Sequence, residues 1–138
     1  MSALPHFPVV PAWPGDGTHR IPFLTYTSDA LYRRELERFF YQGHWCYVGL
    51  EAEVPLPGDF KRTVVGERSV IMVRAKDGRI HVVENVCAHR GMRFCRERHG
   101  NRTHFVCPYH QWSYKLDGSL MGVPFRRGVR QGDEVQGG

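Results

Sequence analysis

No apolar run in this 138-residue chain approaches the roughly 20 residues that a membrane-spanning helix needs, so no helical anchor is expected. The opening "MSALPHFPVVPAWPGDG" lacks a charged start followed by a long apolar stretch and does not read as a signal peptide, which makes the cytoplasm the expected location. No base-stacking or named DNA-binding pattern occurs, so neither nucleic acid nor a membrane is an expected partner. No internal repeat is visible. Cysteine is scarce, four in all, too few for a disulfide-stapled scaffold. What remains is an ordinary globular composition, 41% hydrophobic and 24% charged, long enough for one domain burying roughly 68% of its unfolded surface. The net charge is +5, with arginines gathered at 90–102 and 126–130. A basic surface of this kind suits an acidic partner or simply a solvated rim.

The pattern divides the chain into three parts. Residues 1–44 read as a Pro/Gly-rich arm followed by one helix in "TSDALYRRELERFFYQGHW". Leu31, Tyr32, Leu36, Phe39 and Phe40 fall on one helical face there; Ser28 or Asp29 caps the start and Gly43 ends it. Residues 45–125 turn to short β-rich runs, "WCYVGL", "FKRTVV", "SVIMVR" and "IHVVE", with two-residue hairpin signals at Asp77-Gly78 and Asp117-Gly118. Residues 126–138 carry no core pattern and read as a linker. The fold class is therefore mainly β: small antiparallel sheets with one N-terminal helix and an extended arm.

Two of the four cysteines each stand within three residues of a histidine, as Cys87-x-His89 and Cys107-x-x-His110, separated by the segment from Arg90 to Val106. Each pair follows a β-rich run, where a tight loop aims both side chains at one point. Two thiolates and two neutral imidazoles suit zinc or an iron–sulfur cluster. Zinc fingers usually group like with like, two cysteines and then two histidines. One of each per loop suits a [2Fe–2S] centre with two cysteines on one iron and two histidines on the other. Cys46 reads as a core thiol within a strand, and Cys95 as packed rather than reactive. His6, His19, His44, His81, His99 and His104 show no paired spacing. His104 reads as lying in a strand, opposite Phe105.

C-x-H, a gap of this length and C-x-x-H together form the Rieske motif. "CAHRGMRFCRERHGN…FVCPYHQWSYKLDGSLMGVPF", with "LYRRELERFFYQGHWCYVGLEAEVPLPGDFKRTVVGERSVIMVR" upstream, resembles the N-terminal Rieske domain of the large subunit of aromatic-ring-hydroxylating oxygenases, in its salicylate- and anthranilate-type branch. The resemblance implies a Rieske [2Fe–2S] domain with two cluster-binding loops. Cys87 and Cys107 would hold the inner iron and His89 and His110 the outer one. Arg90-Gly91 and Pro108-Tyr109 would shape the loops, with Trp112 and Tyr114 shielding the cluster. Gln111 departs from the glycine common in the family.

The resemblance further implies an oxidoreductase that takes electrons from a ferredoxin or reductase. It passes them to a mononuclear Fe(II) held by a C-terminal domain that these 138 residues do not include, for hydroxylation of a salicylate-like aromatic acid. It also implies a small subunit and neighbouring large subunits, whose carboxylate would meet the outward edge of His110. On this reading the chain is a fragment with no hydroxylating activity of its own. Arg93, Arg96, Arg98 and Arg102 are expected to receive the acidic donor. A free-standing Rieske ferredoxin is the alternative, although such carriers lack the upstream helix. Met92, Tyr109 and Trp112 stand where high-potential relatives carry two extra cysteines and a serine, which places the expected potential at the low end of roughly −150 to +300 mV.

Overall fold

The computed structural model describes residues 12–13, 15, 19–124, 129–131 and 134–136; for the last two stretches it gives the backbone alone. Most of the arm, including His6, lies outside the described residues, as do Arg126 and Arg127 of the second arginine group. The chain forms two units, Met1–Cys46 and Tyr47–Gly138.

In the first unit a single turn, α1 (Leu24–Thr27), precedes α2 (Asp29–Glu35). Ser28 caps α2, its hydroxyl accepting from the Leu31 N–H at 3.3 Å. The expected continuous helix then widens into a π-turn over Leu36–Phe40, closed by the bond from Tyr41 N–H to the Leu36 carbonyl. The wide turn breaks the 3.6-residue period. Leu36 is buried, but Phe39 and Phe40 are exposed. Gly43 adopts φ +76°, the left-handed geometry that suits a stop. Cys46 is half-buried, not the core thiol expected; its Sγ lies 3.8 Å from the Phe39 carbonyl oxygen.

The second unit is built on a four-stranded antiparallel sheet of order β3-β2-β1-β4, from β1 (Asp59–Val65), β2 (Arg68–Arg74), β3 (Ile80–Glu84) and β4 (His99–Asn101). β2, flanked by β1 and β3, is buried from Ser69 through Val73, on both faces. A smaller antiparallel sheet follows, β5 (Phe105–Val106), β6 (Ser113–Tyr114) and β7 (Leu120–Gly122). The run "WCYVGL" forms no strand; Trp45 is fully exposed and Glu51–Glu53 turns into a 3₁₀ helix instead. His104 lies in a bend before β5 rather than in a strand.

Both Asp-Gly signals mark real hairpins, but each closes as a three-residue loop. Ala75 N–H bonds the Arg79 carbonyl, and Lys115 N–H bonds the Ser119 carbonyl, both at 2.8 Å. A two-residue type I′ turn needs left-handed φ at both central positions, and only Gly78 (+83°) and Gly118 (+85°) have it. The tail differs from the expected linker: β8 (Val129–Gln131) and β9 (Glu134–Gln136) pair as an antiparallel hairpin.

One core joins the two sheets. Phe60 of β1, Ile71 and Val73 of β2, Phe105 of β5 and Tyr114 of β6 pack with Phe94 and Leu116, and the same cluster takes in Cys87, Cys95 and Cys107. The Phe60 and Phe105 rings meet edge to face at 5.5 Å. Full burial of each such side chain stabilises the fold by roughly 1.5–3 kcal/mol. The thiols at 87 and 107 thus stand in the buried core that joins the sheets.

Candidate metal centre

The first loop leaves β3 and the second leaves β5, and both close on the cysteine that opens them. Cys87 N–H bonds the Met92 carbonyl, and Gly91 N–H bonds the Cys87 carbonyl. Cys107 N–H bonds the Trp112 carbonyl, and Gln111 N–H bonds the Cys107 carbonyl. These tight turns hold Cys87 and Cys107 at the base, 2% and 1% exposed, and lift the histidines to the rim. His89 is exposed and His110 half-buried, so His110 is more accessible than either cysteine.

The four side chains come together in pairs. The His89 and His110 rings meet edge to face with centroids 4.6 Å apart. Below them the Cys107 thiol is within hydrogen-bonding reach of Cys87. Among the described residues no three His, Cys, Asp or Glu side chains come together to hold a single metal ion. A two-iron cluster takes its donors two by two.

The donors also have the right chemistry. Burial raises the Cys87 thiol, but hydrogen bonds from Tyr114, the His89 and Arg90 backbone and Cys107 outweigh it and leave it below its ordinary value, which favours the thiolate. The Tyr114 hydroxyl lies 3.1 Å from Cys87 Sγ and accepts from the Ala88 N–H at 3.0 Å. Burial, then the bond to Cys87, pushes that phenol up to about 12, so it stays protonated as a donor. Burial, then the charges of His89 and Arg90, lower the His110 imidazole and keep it neutral, as a ligand must be. His110 Nδ1 is buried without a hydrogen-bond partner. Such an orphan is unfavourable unless something satisfies it, and coordination to a metal would do so. With Nδ1 inside, the exposed side of the half-buried ring is the one that carries Nε2.

Trp112 stacks on His89 at 4.9 Å with planes 11° apart, and Tyr114 stacks on Phe94 at 5.1 Å. The Arg90 guanidinium stands 6.0 Å over the Tyr109 ring. Sequence patterns gave no sign of Asn85, which is wholly buried beneath the first loop. Its carboxamide donates to the Cys95 carbonyl (2.7 Å) and Ser69 Oγ (3.2 Å) and accepts from the Cys95 N–H (2.9 Å). It ties the two ends of the loop together and ties both to β2. Burial, with the Glu97 carboxylate beside it, pushes the Cys95 thiol up to about 11, which disfavours the reactive thiolate.

The arginines divide. Arg102 is tied to Glu97 at 2.6 Å, which leaves it less free for a partner than expected. Arg93, Arg96 and Arg98 are exposed. Arg62 of β1 joins Arg93 and Arg96, with Gly91, Met92 and Cys95, around a cavity of about 500 Å³ lined by no carboxylate among the described residues. Arg62 is far away in sequence and only strand pairing brings it there. His99 is exposed on β4, and His104 is engaged with Thr103 Oγ1 at 3.0 Å.

Residues 44–132 match the model of the Rieske [2Fe-2S] domain. The chain is 72% identical over 134 residues to the salicylate 5-hydroxylase large oxygenase component of Ralstonia sp., covering 97% of this chain and 32% of that protein. It is 47% identical over 118 residues to the anthranilate 1,2-dioxygenase large subunit of Burkholderia cepacia, covering 86% and 28%. Among solved structures, naphthalene 1,2-dioxygenase from Rhodococcus sp. bound to indole aligns with a TM-score of 0.65 at 41% identity, over 69% of this chain and 21% of that one. The chain thus spans about a third or less of the length of the relatives it matches.

Proposed function

The chain belongs to the Rieske [2Fe–2S] domain family, and on that premise we propose that Cys87, His89, Cys107 and His110 hold its cluster, as the electron-transfer part of the large subunit of an aromatic-ring-hydroxylating oxygenase. The observation that carries the ligand assignment is the pairing itself: two buried thiols beneath two histidines whose rings are 4.6 Å apart, one with an orphaned buried nitrogen. When bound, the cluster accepts and releases one electron. The protein's own residues do the rest. The core around Cys87 and Cys107 excludes water from the sulfurs, Tyr114 donates to one of them, and Trp112 fixes the His89 ring by stacking.

The accessible edge of His110 is the place where another protein approaches. A histidine that ligates through one nitrogen keeps the other as a fixed N–H donor, and a carboxylate of a neighbouring large subunit is its counterpart. An acidic ferredoxin or reductase supplies electrons, drawn to Arg62, Arg93 and Arg96 by complementary charge. The 72% likeness to a salicylate 5-hydroxylase component supports an aromatic acid such as salicylate as the substrate of the whole enzyme. It also favours the oxygenase over a free-standing ferredoxin, because it extends across α2. Among the described residues no helix is long and apolar enough to cross a membrane, and thiols that must stay reduced to ligate support the cytoplasm.

Replacing His89 or His110 with alanine tests the ligand set: the Rieske EPR signal of the iron-loaded protein is expected to vanish or convert. The same change at His99 or His104 leaves it intact. A His89→Ala protein with the parent spectrum would remove the assignment.

A further inference from the structure

The two loops are backbone copies of each other, and they differ in what stands at the turning point. The closing bonds are equal in both: 2.8 Å onto the residue after the turning point, Met92 or Trp112, and 2.9 Å back to the cysteine carbonyl. The turning residue is left-handed in both, φ +70° at Gly91 and +59° at Gln111. Gln111 is the sole non-glycine residue in that region among the described residues. A Cβ built on Gly91 would meet nothing within 4 Å, so space does not explain the glycine there; the backbone angle alone favours it. The second loop therefore carries a side chain where its own backbone is better without one.

Among the described residues that side chain returns no hydrogen bond to the fold. Gln111 is exposed, and its carboxamide has no hydrogen-bond partner among the described residues. Strain retained without an internal return is a mark of a functional position. Gln111 shares the rim of a cavity of about 410 Å³ with His89, Tyr109, His110, Trp112 and Pro124. This rim is rich in donors: an indole N–H, a phenol O–H, the carboxamide NH₂ and the outward N–H of a ligating His110. Among the described residues no carboxylate lines it. A donor-rich rim on a basic chain is complementary to an anionic acceptor, and on a protein that acceptor is a carboxylate.

We infer that Gln111 is a recognition residue, its carboxamide donating to a carboxylate side chain that a partner protein places against His110. The second hydrogen bond holds the partner in register for electron exchange. The inference rests on the reading above that the His110 edge faces another protein.

Stopped-flow mixing tests it. The reduced, cluster-loaded chain is mixed with an oxidised blue-copper protein that carries an acidic surface patch. In a second arm it is mixed with a small cationic cobalt(III) complex that offers no carboxylate. In Gln111→Gly the ratio of the protein rate to the small-oxidant rate should fall by roughly tenfold to a hundredfold, as one charge-assisted hydrogen bond is lost. In Gln111→Glu it should fall further, because like charges then meet. The Tm of Gln111→Gly should rise by roughly 4 °C as the strain is released. An unchanged ratio, an equal slowing with both oxidants, or a lowered Tm would each overturn the inference. If neutralising the acidic patch of the copper protein leaves the wild-type rate unaltered, the reading of the His110 edge itself falls.

Discussion

Replacing Tyr114 with phenylalanine removes one oxygen atom and two hydrogen bonds, to Cys87 Sγ (3.1 Å) and from the Ala88 N–H (3.0 Å). The ring remains stacked on Phe94, so packing is preserved and the hydroxyl alone is tested. A hydrogen bond to a charged group contributes roughly 1.5–3 kcal/mol. The reduced centre carries one more negative charge than the oxidised one and draws the larger share of that bond. If the two states differ by about 1 kcal/mol, a one-electron couple at 59 mV per factor of ten loses about 40 mV. The sign is fixed: loss of a donor destabilises the more negative state, so the potential falls. An EPR-monitored redox titration of the iron-loaded protein reads the shift. Tyr109→Phe is the control, since that exposed phenol lies in the second loop without a bond to Cys87. Its potential should move by less than about 10 mV. A Tyr114→Phe potential equal to or above that of the parent would refute the reasoning. A clearly positive parent potential would separately overturn the low-end expectation drawn from Met92, Tyr109 and Trp112.

Reduction by an acidic [2Fe–2S] ferredoxin should slow with rising salt and slow at low salt when Arg93 and Arg96 are replaced by glutamine; a rate indifferent to ionic strength removes the arginine docking site. Asn85→Ala leaves the Cys95 N–H and C=O unpaired in the interior, and urea denaturation should record a loss of roughly 2–4 kcal/mol. The Cys95 thiol is raised to about 11, so its contribution to stability is complete below the ordinary thiol value near 9 and declines as pH rises towards 11. Cys95→Ala should flatten that decline in thermal melts, and a parent melt that is level from pH 9 to 11 counts against the raised value.

The parts of the fold that local chemistry specifies were legible in the sequence. Val70, Ile71 and Val73 announce β2, Asp77-Gly78 announces its turn, and Ser28 announces α2, because each signal and its structural consequence lie within a few residues. The paired Cys/His spacing works in the same way, since each loop is closed by bonds to its own cysteine. What escaped depends on distant partners. "WCYVGL" has the composition of a strand but pairs with no neighbour, whereas His99-Gly100-Asn101 has none of that composition and becomes β4 because Asp59, Phe60 and Lys61 offer it an edge. Asn85 and Arg62 are unremarkable in sequence, and their roles exist only once β2 and β1 bring the first loop beside them. The β8–β9 hairpin is a different lapse: Gly132-Asp133 lies between its strands and is itself a turn signal.

The order β3-β2-β1-β4 puts the two ends of the first loop on opposite edges of the larger sheet. The segment from Asn85 to Arg98 is thus a span of set length, fastened at one end where Asn85 N–H bonds the Ser69 carbonyl on β2 and at the other where Arg62 N–H of β1 bonds the Arg98 carbonyl. The second loop joins neighbouring strands, β5 and β6, and has no such crossing to make. Surface connections normally absorb inserted or deleted residues with little consequence. Here a single residue added between Cys87 and Arg98 must either bulge out of the span or slip β4 by one position, turning each of its side chains to the opposite face. The first loop is therefore far less free to change length in evolution or design than its exposure implies, and variants of the chain should differ there by substitution rather than by insertion.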